Sequence, residues 1–210
     1  MSAKPTLVLL VRHGTTPTTG KVLPGRARGL HLADSGKKQA AHVAERIAEL
    51  GKVGAIYASP LERARETAAP ISRALRTPVR IERGLLECDF GSWTGQSLRR
   101  LYKKPEWTAV QRTPSSFRFP DGESFVEMQS RMVVALDVIR RRHPGKTVVC
   151  VSHADPIKAA VAHAMGTPLD LFQRIVISTC SVTAILYSDA APIVLTVNSN
   201  GGSLRELRPS

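Results

Sequence analysis

The sequence predicts an α/β fold, a three-layer α/β/α sandwich around a mostly parallel central sheet. Two kinds of segment predict it. Runs such as TLVLLV at 6–11 and TVVCV at 147–151 are apolar and rich in β-branched residues without a polar alternation, the pattern of strands buried on both faces. Stretches with helical apolar spacing follow such runs, and alternating strands and helices build parallel sheets. The length of 210 residues suits one domain spanning 1–210, able to bury a core without staples or metals.

The elements follow in order. After the strand at 6–11, a helix is expected to open at Asp34 or Ser35 and to close at Gly51, with Ala40, Val43, Ala44, Ile47 and Leu50 as its apolar stripe. A second strand is read at 53–57 (VGAIY). Ser59 then reads as a helix cap, with Pro60 at the first helical position and Glu62 completing a capping box. A weaker third strand is expected at 79–81. From about 87 to 120 glycine, proline, tryptophan and basic residues occur with poor periodicity. That stretch reads as an irregular insertion over one end of the sheet, with a short helix near 96–102. Asp121 reads as the start of the longest helix, which Pro144-Gly145 ends, and Phe125, Met128, Met132, Leu136 and Ile139 face inward. After the strand at 147–151, Asp155 reads as the cap of a further helix with Pro156 at its start. Strands near 182–186 and 193–197 complete the sheet, and Gly201-Gly202 opens a mobile tail at about 201–210.

Composition narrows the function classes. Hydrophobic and charged fractions of 42% and 22% are those of a globular protein. The three cysteines, Cys88, Cys150 and Cys180, are scattered and form no CxxC, which argues against a disulfide framework and for a reducing, cytoplasmic location. The early apolar run is too short for a signal-peptide core, and no stretch reaches the length of a membrane span. A net charge of +13 suits either an anionic partner or a solvated arginine-rich surface. Aromatics, at 5%, do not interleave with the basic residues, which argues against nucleic acid. A homodimer is compatible with a sheet that has edge strands.

The candidate chemistry comes from topology. In open α/β sheets ligands bind beyond the carboxyl ends of the strands. Arg12 and His13 follow the first strand, Glu87 follows the third, and His153 comes directly after TVVCV. Arg63 lies in the first turn of its helix, off the apolar stripe, where a cation opposes the helix dipole. It is either solvated or faces an anion that shares the helix N-terminus. A neutral imidazole at His13 is able to attack phosphorus, and Gly14 lets the backbone turn close to an oxyanion. Arg12, Arg63 and His153 suit the phosphoryl oxygens, and Glu87 suits proton transfer to the leaving oxygen.

Together the segments LVRHGTT (10–16), HLADSGKKQA (31–40), SPLERARETA (59–68), LLECDFGSWTG (85–95), PDGES (120–124) and VSHADPIKA (151–159) resemble the histidine phosphatase superfamily. The resemblance implies a phosphoglycerate-mutase-like fold and no cofactor. It also implies a phosphate-binding core of Arg12, His13, Arg63 and His153, with His13 as the phosphorylated nucleophile and Glu87 as the proton donor. By the same resemblance Gly14, Thr19, Lys21, Arg26 and Ala154 are expected to meet a small phosphorylated substrate. The chain departs from the family pattern in having Ala154, not glycine, after the second histidine. It also has Phe90 where the mutase branch places tyrosine, and Gly95-Gln96-Ser97 where that branch carries a longer insertion. These departures favour a phosphomonoester hydrolase over a phosphomutase, with a non-catalytic phosphate-binding module as a further alternative. A metal site built from His13, His153 and Asp155 lacks further ligand motifs, so no metal is expected. Asp155 reads as a helix cap rather than a pocket carboxylate. The basic residues Arg99, Arg100, Lys103, Lys104, Arg112 and Arg118 read as surface, with recognition of an anionic substrate tail as the alternative. Trp93 and Trp107 read as packing residues.

Overall fold

The apolar runs become the inner strands of one sheet. The computed structural model describes residues 4–207. In it β1 (Thr6–Arg12), β2 (Ala55–Ala58), β3 (Val79–Ile81), β4 (Thr147–Ser152), β5 (Val182–Tyr187) and β6 (Ile193–Ser199) pair in the order β3-β2-β4-β1-β5-β6. Strands β3, β2, β4 and β1 are parallel, and β5 and β6 return antiparallel at one edge. The mostly parallel sheet is thus as expected.

Strand periodicity builds the layers. Successive residues of a strand point to opposite faces. Leu7, Leu9 and Val11 join one core with Val43 and Ile47 of α1 (Asp34–Ala48) and Ala68 and Ile71 of α2 (Glu62–Leu75). Val8 and Leu10 join a second core with Met132 and Leu136 of α5 (Phe125–Arg142) and Ile157 and Val161 of α6 (Ala154–Ala164). The sheet therefore lies between two helical layers. No helix among the described residues is long and apolar enough to cross a membrane.

Three expected helix starts differ from the structure. The residue that caps α2 is Leu61, and α2 has no side-chain cap. For α5 the cap is Ser124, which forms a capping box with Glu127, while Asp121 sits in a turn with φ of 59°. His153 occupies the cap position of α6, and Asp155 lies one residue inside the helix. The hydroxyl of Ser59 and the carboxylate of Asp155 have other partners, described below.

The segment at 87–120 is less irregular than its composition suggests. It contains α3 (Leu98–Leu101) and α4 (Trp107–Arg112). Phe90, Trp93 and Phe119 pack with Phe125 and Phe172 into a third core at one end of the sheet. The expected mobile tail is also tied down over 201–207. The Arg46 guanidinium donates to the carbonyls of Gly201 and Gly202 at 2.8 and 2.9 Å, and Leu204 is buried. Residues 208–210 of that tail lie outside the described residues.

Candidate active site

The register of β1 against β4 brings the two histidines together. Arg12 faces Ser152 across the ladder, and the His13 amide extends it by donating to the Ser152 carbonyl at 3.0 Å. The rings of His13 and His153 then lie side by side, with centroids 5.2 Å apart. Both are buried.

Hydrogen bonds define the two imidazoles. Nδ1 of His13 lies 2.8 Å from the Gly14 carbonyl. A carbonyl only accepts, so Nδ1 carries the proton and Nε2 keeps its lone pair. Nε2 of His153 lies 2.8 Å from the Ser59 hydroxyl, while its Nδ1 is buried without a hydrogen-bond partner. This contact is where the Ser59 side chain goes instead of capping α2.

Two guanidinium groups complete the cluster. Arg63 is fully buried; its Nη2 donates to the Gly25 carbonyl at 2.7 Å, and its Nε and Nη1 have no hydrogen-bond partner among the described residues. Nη1 of Arg12 donates to the Ile177 carbonyl at 2.7 Å, and its Nε has none. Buried polar groups are nearly always satisfied. Arg12 Nε, Arg63 Nε, Arg63 Nη1 and His153 Nδ1 are four of the seven exceptions among the described residues. They belong to the two arginines whose charges act on His13 and to the histidine whose ring lies beside it. Burial first, then the charges of Arg63 and Arg12, depress the His13 pKa to about 3, so the ring is neutral at pH 7. The same causes hold His153 well below its ordinary value. The cluster carries excess positive charge and open donors, the requirements of an anion site.

Glu87 faces the same cavity. Its Oε1 accepts the Cys88 amide at 2.9 Å. Burial, and then the charge of Asp155, push its carboxyl up to about 7, against the pull of the Cys88 amide, Arg63 and Arg12. The backbone here is clamped from behind. Arg26 Nε donates to the Glu87 carbonyl at 2.9 Å, Arg131 donates to the carbonyls of Gly84 and Leu86 at 2.7 and 3.0 Å, and both arginines pair with Glu123.

The raised carboxyl has a consequence for stability. The folded Glu87 holds its proton up to about pH 7, whereas the unfolded group releases it near 4.5. Stability contributed by this group is therefore full below the lower value and is lost as pH rises through the upper one. Glu87→Gln is expected to remove that loss. Thermal melts should show the variant's Tm rising relative to wild type between pH 5 and pH 8. A relative Tm that falls over that range would contradict a buried, proton-retaining carboxyl.

In front of the cluster lies a cavity of about 420 Å³, with Arg12, His13, Glu87, Ala154 and Asp155 among its lining. Of the five substrate-pocket residues expected from the sequence, Thr19 and Ala154 line it, and Gly14, Lys21 and Arg26 do not. A Cβ at Gly14 would fall 2.6 Å from the Gly36 carbonyl, and its amide donates to Thr67 Oγ1 at 3.0 Å. Its small size therefore serves the packing of the loop on α1. Lys21 is exposed on the loop, and Arg26 is engaged by Glu87, Asp89 and Glu123. Trp107 lines the cavity and Trp93 does not; the two rings stack at 6.2 Å. None of the six basic residues from 99 to 118 lines it. Asp155 is the lining residue that sequence reasoning placed elsewhere, and its Oδ1 accepts from Lys158 Nζ at 3.2 Å. Among the described residues no group of three or more His, Cys, Asp and Glu side chains is placed to hold a metal ion.

Comparison with known proteins gives consistent matches. The profile of the histidine phosphatase superfamily (branch 1) matches residues 8–200. A bifunctional protein of Mycobacterium tuberculosis is 33% identical over 205 residues, covering 94% of this chain and 55% of that protein. The chain thus spans about half the length of the first curated relatives it matches. Phosphoserine phosphatase 1 of Hydrogenobacter thermophilus is 31% identical, with 91% of each chain covered. Among solved structures, YhfR of Bacillus stearothermophilus superposes with a TM-score of 0.85 at 27% identity, covering 92% of this chain and 97% of its own.

Proposed function

The chain belongs to the histidine phosphatase superfamily, and from that premise we propose that it hydrolyses small phosphomonoesters through a phosphohistidine on His13. One observation carries the reading: His13, its ring 5.2 Å from that of His153 and its pKa depressed by burial and by the charges of Arg63 and Arg12, has as neighbours buried nitrogens of Arg12, Arg63 and His153 that lack hydrogen-bond partners among the described residues.

The steps follow from these groups. A phosphate dianion meets the open N–H groups of Arg12 and Arg63. In the tautomer this reading requires, the Ser59 hydroxyl donates to His153 Nε2 across their 2.8 Å contact, and the ring proton on Nδ1 makes that atom a further donor. Nε2 of His13 forms the N–P bond as the ester P–O bond breaks. Glu87, protonated at working pH, gives its proton to the departing alkoxide and becomes a carboxylate. After the alcohol leaves, water attacks phosphorus and gives a proton to Glu87. The N–P bond breaks, its electron pair returns to Nε2, and inorganic phosphate departs. Arg12, Arg63 and His153 hold the non-bridging oxygens through both transition states. No step changes an oxidation state.

The buried free thiols of Cys88, Cys150 and Cys180 support a reducing, cytoplasmic setting. The direct test is phosphate release from a chromogenic aryl phosphate. Release is expected with a chelator present. 3-Phosphoglycerate with a bisphosphoglycerate primer should give phosphate or no reaction. Rapid formation of 2-phosphoglycerate would replace the hydrolase with a mutase, and inertness toward all esters would leave only a phosphate-binding module.

A further inference from the structure

The cavity lining has two chemically different parts. One part is Arg12, His13, Glu87 and Asp155, while Arg63 and His153 stand behind that lining. Much of the rest is apolar and comes from separate stretches of chain: Leu23 after β1, Phe90, Tyr102 and Trp107 between β3 and α5, and Val176 before β5. Thr16, Thr19, Gln111 and Gln173 are its uncharged polar members. At the rim, Tyr102 and Val176 are 58% and 65% exposed, a large apolar surface to leave in water beside a polar site. The wall is already assembled. Trp107 stands with its ring 5.0 Å from that of Tyr102 and stacks on the buried Trp93.

Cations are scarce in that lining. Among the described residues Arg12 and Lys158 are the lysine and arginine side chains that line the cavity. Arg12 belongs to the anion cluster. The Lys158 ammonium is engaged by Asp155 Oδ1 at 3.2 Å and Gln173 Oε1 at 3.0 Å. Of the basic residues in the neighbouring segment, Lys104 lies over the Trp93 ring at 5.5 Å and Arg118 is directed onto Glu127. A leaving group bearing its own carboxylate would lose hydration there and face the Asp155 carboxylate, with the Lys158 ammonium already shared between Asp155 and Gln173. An apolar leaving group would exchange water for aromatic and aliphatic contact.

We propose that the site selects phosphomonoesters of apolar or arylalkyl alcohols over phosphorylated amino acids and hydroxy acids. The inference rests on the hydrolase reading above and sets its substrate class, one different from that in the name of the Hydrogenobacter relative.

The test uses the full chain and measures kcat/KM for ethyl, butyl, hexyl and 2-phenylethyl phosphates, phosphoserine and 3-phosphoglycerate. The alkyl series holds leaving-group acidity nearly constant, so its slope reports contact with the wall. Each added methylene that is fully buried is expected to raise kcat/KM about fourfold, and 2-phenylethyl phosphate should exceed phosphoserine by more than about tenfold. In Tyr102→Ala, a change at an exposed side chain, the slope of the series should flatten. A flat series in the wild type, a preference for phosphoserine or 3-phosphoglycerate, or an unchanged slope in Tyr102→Ala overturns the inference while hydrolysis itself stands. Failure to hydrolyse any of the six overturns the hydrolase reading and this inference with it.

Discussion

Replacing His13 with alanine is expected to lower phosphatase turnover by more than about 10⁴-fold, the scale seen when a covalent nucleophile is removed. No neighbouring group offers a substitute. The His153 ring is held by Ser59 through Nε2, and its other nitrogen is buried without a hydrogen-bond partner among the described residues. The Cys88 thiol is buried and pushed well above its ordinary pKa by that burial, then by Glu87, so it supplies no thiolate. The variant should still bind anions, because the partnerless nitrogens of Arg12, Arg63 and His153 remain. Phosphate should therefore still raise its Tm, which separates loss of chemistry from loss of fold. Turnover within tenfold of wild type would remove His13 from the nucleophile's role.

The second large effect concerns Arg63. Arg63→Met should lower kcat/KM by about 10³-fold, since each preorganised donor to a transition-state oxyanion is worth roughly 10² to 10³ and Arg63 presents two open N–H groups. Stability should move little or rise. The buried guanidinium has no carboxylate salt-bridge partner among the described residues, and a methionine of similar length avoids burying its charge. The Gly25 carbonyl loses its donor, which offsets part of that gain. Phosphate should no longer raise Tm as it does in the wild type. Arg63→Lys should restore little, because a point charge does not reproduce the fork that meets Gly25 and two open positions at once. An Arg63→Met enzyme that keeps its kcat/KM but unfolds more readily would make the residue structural.

Much of the layout was legible in the sequence because strands buried on both faces leave an uninterrupted apolar run. The run at 6–11 became β1 with one added residue, and 79–81 matched β3. His13 and His153 were legible as a pair because a parallel register places strand ends side by side. Arg63 stood out by opposing a helix dipole. What failed depended on distant partners. Ser59 and Asp155 look like caps locally, but His153 and Lys158 take their side chains. Asp121 lies in a left-handed turn where the backbone at Gly122 approaches that at Asp89 and Gly91 closely. Arg26, a loop cation with no local partner, is drawn to Glu123 and Asp89. The cavity walls were the least legible part, since Leu23, Trp107 and Val176 come from stretches without periodicity and meet only through tertiary packing.

The proposed hydrolysis passes through a covalent bond between His13 Nε2 and phosphorus. Acid-avoiding rapid quench of the wild-type chain during turnover, followed by peptide mass spectrometry under alkaline conditions, reads that bond directly. A phosphate on the peptide containing residue 13, labile to acid and absent from His13→Ala, is the expected result. Steady turnover with no phosphopeptide at any quench time, or with the phosphate on another residue, would contradict it.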